Sequence, residues 1–244
     1  MSRGITPTTA AATAVEGAVQ FASDGFMIPG FLARPSGAAA PAKAVLVLHE
    51  WWGLNDQIRG VARRFAAAGY VALAPDGYAR QGSRVAQTPP EATTLMNAVS
   101  AQRILRDLNA AAQFLKAQPA VDPIGVGIVG FGMGGTFALT QAAHNSDLRA
   151  AVIFYGKVPP VESLDALVCP VLFHAAGQDI WVTPQEVERL RQAGVEQGKA
   201  ISVQRYPDAD HGFFNERRPE VYRALDAERA WQRTLAFLGQ HVGS

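Results

Sequence analysis

One cysteine in 244 residues, Cys169, excludes an internal disulfide, and without a CxxC pair or a His/Cys cluster there is no structural zinc site. A reducing, cytoplasmic setting is the expectation. Charge of one sign is also missing: 22 Lys and Arg stand against 21 Asp and Glu, with no run of like charges. Such a surface has no field to attract nucleic acid or an acidic membrane, so the expected partner is a small molecule. Long apolar runs are absent too. No segment reaches the ~20 apolar residues of a membrane span. Residues 1–14 run through Thr, Pro and Ala without the apolar block of a signal peptide. They read as a flexible N-terminal tail ahead of a single domain over 15–244, in a monomer or small homo-oligomer.

What is present is alternation. A 48% hydrophobic content fills one large core. Val15 to Ala22 and Phe26 to Ala33 flank the turn signal Ser23-Asp24-Gly25 and read as an antiparallel edge. Ala44 to Leu48 is a run of the kind buried on both faces of a parallel sheet. Helical spacing over Asn55 to Ala68 and a strand over Tyr70 to Ala74 complete a βαβ unit. The pattern then repeats: helix Ala98 to Ala117, strand Gly125 to Val129, helix Met133 to Ala143, strands Ala150 to Phe154 and Val171 to His174. Helix Pro184 to Glu196, strand Ile201 to Tyr206 and a closing helix from Val221 to Leu238 finish the chain. This order predicts an α/β fold, a mostly parallel doubly wound sheet flanked by helices. Its reactive residues belong in loops beyond the carboxyl ends of the strands.

Three such loops carry chemistry. Gly130-Phe131-Gly132-Met133-Gly134-Gly135 joins a strand to a helix, the context of a nucleophile elbow, and the helix start offers free N–H groups. The same glycines match GxGxxG literally, but the strand comes late in the chain and no acidic residue ends the next one. Gly177-Gln178-Asp179 and Ala209-Asp210-His211-Gly212-Phe213 each follow a strand. Elbow, acid, histidine is the chain order of the α/β-hydrolase triad. In it Asp179 holds the tautomer of His211 and stabilises the imidazolium that forms. Glu50, in His49-Glu50-Trp51-Trp52-Gly53, leaves the sheet at the same edge. Cys169 sits at the buried start of a strand, where a packed, inert thiol is expected.

Five stretches in order carry a resemblance to the dienelactone hydrolase family, which includes carboxymethylenebutenolidase-like enzymes. They are His49 to Gly53, Ala74-Pro-Asp-Gly-Tyr-Ala-Arg-Gln81, the elbow Gly130 to Gly135, Gly177 to Asp179 and His211 to Phe213. The resemblance runs from about Val15 to Phe237 and implies an α/β-hydrolase fold with no cofactor and no metal. It implies further that an elbow nucleophile attacks an ester or lactone, with Asp179, His211 and Glu50 around it. The N–H groups of Met133 and Trp51 would form the oxyanion hole, and Arg80 would contact a substrate carboxylate. The chain departs from the family in two places. Gly132 stands at the nucleophile position, where it cannot perform covalent catalysis. Asn215 stands where the family often places a second arginine, with Arg217 and Arg218 close by. Three readings follow: an ester or lactone hydrolase with its nucleophile lost or substituted, an enzyme using water or acid–base chemistry at His211 or Glu50, and a non-catalytic binder with an aromatic pocket of Trp51, Trp52, Trp181 and Phe213.

Overall fold

The computed structural model describes residues 14–37 and 41–243. The expected tail lies outside them except for Ala14, which opens the first strand. The strands are β1 (Ala14–Ser23), β2 (Phe26–Pro35), β3 (Ala42–Leu48), β4 (Val71–Pro75), β5 (Val121–Phe131), β6 (Leu148–Phe154), β7 (Val171–Ala176) and β8 (Ile201–Tyr206). They form one sheet in the order β1-β2-β4-β3-β5-β6-β7-β8. β2 runs antiparallel to both β1 and β4, and every other pairing is parallel.

Alternation along the central strands feeds two helical layers. On β3, Ala44, Leu46 and Leu48 face one core while Val45 and Val47 face the other. The first core is closed by α3 (Ala101–Lys116), α4 (Met133–Ala142) and α5 (Pro184–Glu196), through residues such as Leu108, Leu139 and Leu190. The second is closed by α1 (Asp56–Ala67) and α6 (Ala224–His241), where the Phe65 and Trp231 rings meet at 4.6 Å, tilted by 56°. This is the doubly wound α/β architecture that the alternating pattern predicts.

Among the described residues, the α-helix that the pattern did not indicate is α2 (Pro89–Asn97). Thr88 and Glu91 form a capping box and Pro89 opens the first turn, a start signal present in the sequence. Only Ala92 and Leu95 of this helix are buried, so its apolar face is too short to show as periodicity. The helix expected from Ala98 begins instead at Ala101, where Ser100 caps the N–H of Arg103 at 3.4 Å.

Candidate active site

The site is assembled at the carboxyl edge of the sheet, where β3, β5, β6, β7 and β8 end. β5 stops at Phe131 and α4 starts at Met133, so Gly132 alone makes the turn, with φ 51° and ψ −114°. Its neighbours explain most of the glycines. A Cβ on Gly130 would lie 2.1 Å from the Gly134 carbonyl oxygen, and one on Gly134 would lie 2.5 Å from that of His49. Both positions therefore require glycine for close backbone approach. Gly132 differs. A Cβ there would meet the His211 Nε2 at 3.5 Å and the Glu50 Cγ at 3.8 Å, ordinary contact distances. Only its positive φ favours glycine.

His211 and Asp179 reach this point from the loops after β8 and β7. The Asp179 side chain is 1% exposed, and its Oδ2 lies 2.8 Å from the His211 Nδ1. Its Oδ1 accepts the backbone N–H groups of Trp181 and Val182 at 2.8 and 2.9 Å. With Oδ1 taken by those two backbone donors, Oδ2 accepts from the His211 Nδ1–H, and Nε2 is the ring nitrogen that faces the Gly132 position.

Glu50 forms the opposite wall. Tyr155 donates its hydroxyl to Oε1 at 3.0 Å and the Asn215 side-chain amide donates to Oε2 at 2.6 Å. Burial raises the Glu50 pKa, while the Asn215 and Tyr155 donors and the nearby Arg218 charge hold it back. Tyr155 follows β6 directly and takes φ 41° although it is not glycine, a strained backbone of the kind that collects at functional sites. Its ring lies 4.9 Å from that of His211. Sequence reading missed Tyr155. The available signal was its place as the first residue past an apolar strand run at the reactive edge.

Two backbone donors point to no protein acceptor. Among the described residues the N–H of Trp51, after β3, and that of Met133, the first residue of α4, have no hydrogen-bond partner. Both belong to the residues expected to supply an oxyanion hole, and both side chains pack on the small apolar cluster that contains Tyr78.

Two of the residues expected to contact substrate are engaged within the protein. The Arg80 guanidinium is bidentate on Asp107 at 2.8 and 3.0 Å, donates to the Ser23 carbonyl and lies over Phe26 at 4.9 Å. It ties the β1–β2 turn to α3. Phe213 is fully buried, 4.8 Å from Tyr206 and 5.5 Å from Tyr155, so it supports the site from beneath. Trp52 is half-buried and Trp181 is exposed. Trp52 packs edge-on against Trp51 with the Arg218 guanidinium 5.4 Å from its ring, and Trp181 is 64% exposed beside Asp179. Cys169 is buried in the core, and burial pushes its thiol up to about 12.

Residues 28–242 match the model of the dienelactone hydrolase family. The chain is 34% identical over 241 residues to a protein of Escherichia coli K12 named "Putative carboxymethylenebutenolidase", covering 94% of this chain and 88% of that one. It is 33% identical over 233 residues to Protein usf of Aquifex pyrophilus, covering 92% and 98%. Among solved structures it superposes with a TM-score of 0.88 and 32% identity on the "Putative Dienelactone Hydrolase" of Klebsiella pneumoniae, over 94% of this chain and all of that one. An α/β-hydrolase fold, a sheet-edge cluster in triad order and likeness over nearly the whole length converge: the chain belongs to the dienelactone hydrolase family.

Proposed function

We propose that the protein binds carboxylic esters or lactones in a dienelactone hydrolase-type site in which Gly132 occupies the nucleophile's position. The observation that carries this is the Cβ direction at Gly132. A side chain grown there would sit 3.5 Å from the one nitrogen of His211 that is free to take a proton. With a thiol at that point, His211 would accept its proton and the thiolate would attack the ester carbonyl. The resulting oxyanion would rest on the N–H groups of Trp51 and Met133. The imidazolium would then return the proton to the leaving alkoxide, and water would hydrolyse the acyl group by the same path. Gly132 lacks the atom that begins this sequence, so the native chain binds substrate and forms no acyl-enzyme.

A second reading rests on Glu50. Its carboxylate, anchored by Tyr155 and Asn215, faces His211 across the Gly132 position. A water there could lose its proton to His211 or Glu50 as its oxygen attacks the carbonyl, giving slow hydrolysis without a covalent intermediate. Triad-deleted hydrolases retain about a thousand- to ten-thousandfold catalysis over water from oxyanion hole and binding alone.

One experiment separates the two: hydrolysis of aryl esters and small lactones by the native chain, by Gly132→Cys and by His211→Ala. Activity confined to Gly132→Cys supports the lost nucleophile. Turnover by the native chain above His211→Ala favours direct attack by water, and no hydrolysis by any of the three, despite intact folding, overturns both.

A further inference from the structure

We propose that His49 is a positioning residue that aims the Trp51 N–H into the site; the inference deepens the hydrolase reading and rests on it for its catalytic consequence. Glu50 and Trp51 share a peptide group, and with no cis bond in the described chain the Glu50 C=O and Trp51 N–H point in opposite directions. Whatever grips that oxygen therefore sets the direction of that hydrogen. The grip comes from His49, whose Nδ1 lies 2.5 Å from the Glu50 oxygen, supplemented by the Gly53 N–H at 3.2 Å.

The imidazole is itself anchored. Its Nε2 accepts the Gly77 N–H at 3.0 Å from the loop after β4, so the ring proton resides on Nδ1 and is donated to Glu50. One tautomer satisfies both contacts. Burial lowers the ring's pKa and favours this neutral form. Gly77 leaves the room the contact needs: a Cβ there would come within 2.9 Å of Nε2 and 3.2 Å of the Ile104 side chain. Tyr78, one residue on, stacks against the imidazole at 5.0 Å and donates its hydroxyl to the Trp51 carbonyl at 2.8 Å. The two carbonyls that bracket the Trp51 N–H are thus held from the β4 side, through His49 for one and directly by Tyr78 for the other. The N–H between them is left without a protein partner. A donor fixed in advance needs no reorganisation as charge develops, which is the condition under which it contributes most to rate.

The test uses substitutions that separate the two nitrogens. In the Gly132→Cys background, His49→Asn keeps a donor near the Nδ1 position, whereas His49→Gln keeps an acceptor near Nε2 and loses that donor. His49→Gln should lower kcat for ester hydrolysis by about 10- to 100-fold with KM little changed, and His49→Asn should recover most of that loss. A uniform loss of folded protein, or equal kcat effects in both variants, overturns the proposal. Independently of activity, nitrogen-15 spectra of the native Gly132 chain at pH 7 should show His49 protonated on Nδ1. The Trp51 amide signal should move in His49→Gln and stay near its native position in His49→Asn. A proton on Nε2, or a Trp51 signal indifferent to both changes, also overturns it. If Gly132→Cys proves inactive while the amide signals behave as described, the hydrolase reading fails and the positioning role of His49 stands.

Discussion

At the scale of single residues, Gly132 combines open space with a backbone that only glycine adopts freely. Gly132→Cys should therefore gain ester hydrolysis and lose stability together. Holding a side chain at that φ costs about 1–3 kcal/mol, which in a chain of this size lowers Tm by roughly 2–4 °C per kcal/mol; calorimetry of the two proteins checks it, and an unchanged Tm would mean that the turn relaxes. Glu50 provides a signed pH test. Its pKa is raised in the folded state, so its protonated form is the one folding favours. Any stability it contributes is present below the ordinary carboxylate range and declines as pH rises through its own titration. Glu50→Gln should accordingly gain Tm relative to the native chain at pH 8 and lose that advantage at pH 5, read by thermal shift across the range. Parallel profiles would show that Tyr155 and Asn215 fully offset its burial. The order Gly132, Asp179, His211 was legible in the sequence because each follows an apolar strand run. The protein partners of Arg80 and Phe213 were not legible, because position along the chain does not say where a side chain points: Asp107 lies 27 residues from Arg80 in sequence yet claims its guanidinium.

At the scale of elements, the strand-to-helix junctions decide the site. Gly134→Ala forces a Cβ to 2.5 Å from the His49 carbonyl oxygen and 2.6 Å from that of Leu48. Backbone, not a flexible side chain, must yield, so a loss of about 1–3 kcal/mol is expected in urea unfolding, together with loss of ligand binding as α4 shifts away from β3. A second test lies beneath the site, where His174 joins β7 to β8 and α6 through Tyr206 at 2.9 Å and Thr234 at 3.1 Å. Burial holds its pKa at about 3 against an ordinary 6.5. The unfolded chain thus takes up this proton first as pH falls. The stability of the neutral buried ring is complete above 6.5 and drains between 6.5 and 3, by up to about 1.4 kcal/mol per pH unit. Urea midpoints for the native chain and His174→Asn at several pH values should diverge over that window, with the flatter slope in the variant. α5, whose Val187, Leu190 and Ala193 form one buried face, matched its expected bounds, and so did β8. By contrast α2 escaped notice, because its evidence is a capping box and a proline and not a hydrophobic face.

At the scale of the whole molecule, sequence pattern conveyed the class of fold and the edge at which chemistry gathers. It did not convey strand order. Nothing in the apolar runs states that β4 lies between β2 and β3, or that β5 crosses to the far side of β3; those follow from how helices pack on both faces once the sheet closes its core. The same arrangement distributes the four tryptophans unevenly. Trp51, Trp52 and Trp181 ring the reactive edge, while Trp231 is sealed on α6 between Phe65 and the Arg64 guanidinium, 4.3 Å from its ring. The protein therefore carries two optical reporters in one chain. Occupation of the site should change the emission of the three rim indoles while the buried one keeps its blue-shifted band, and denaturant should shift Trp231 to the red. Binding and unfolding can then be followed in the same cuvette without a label.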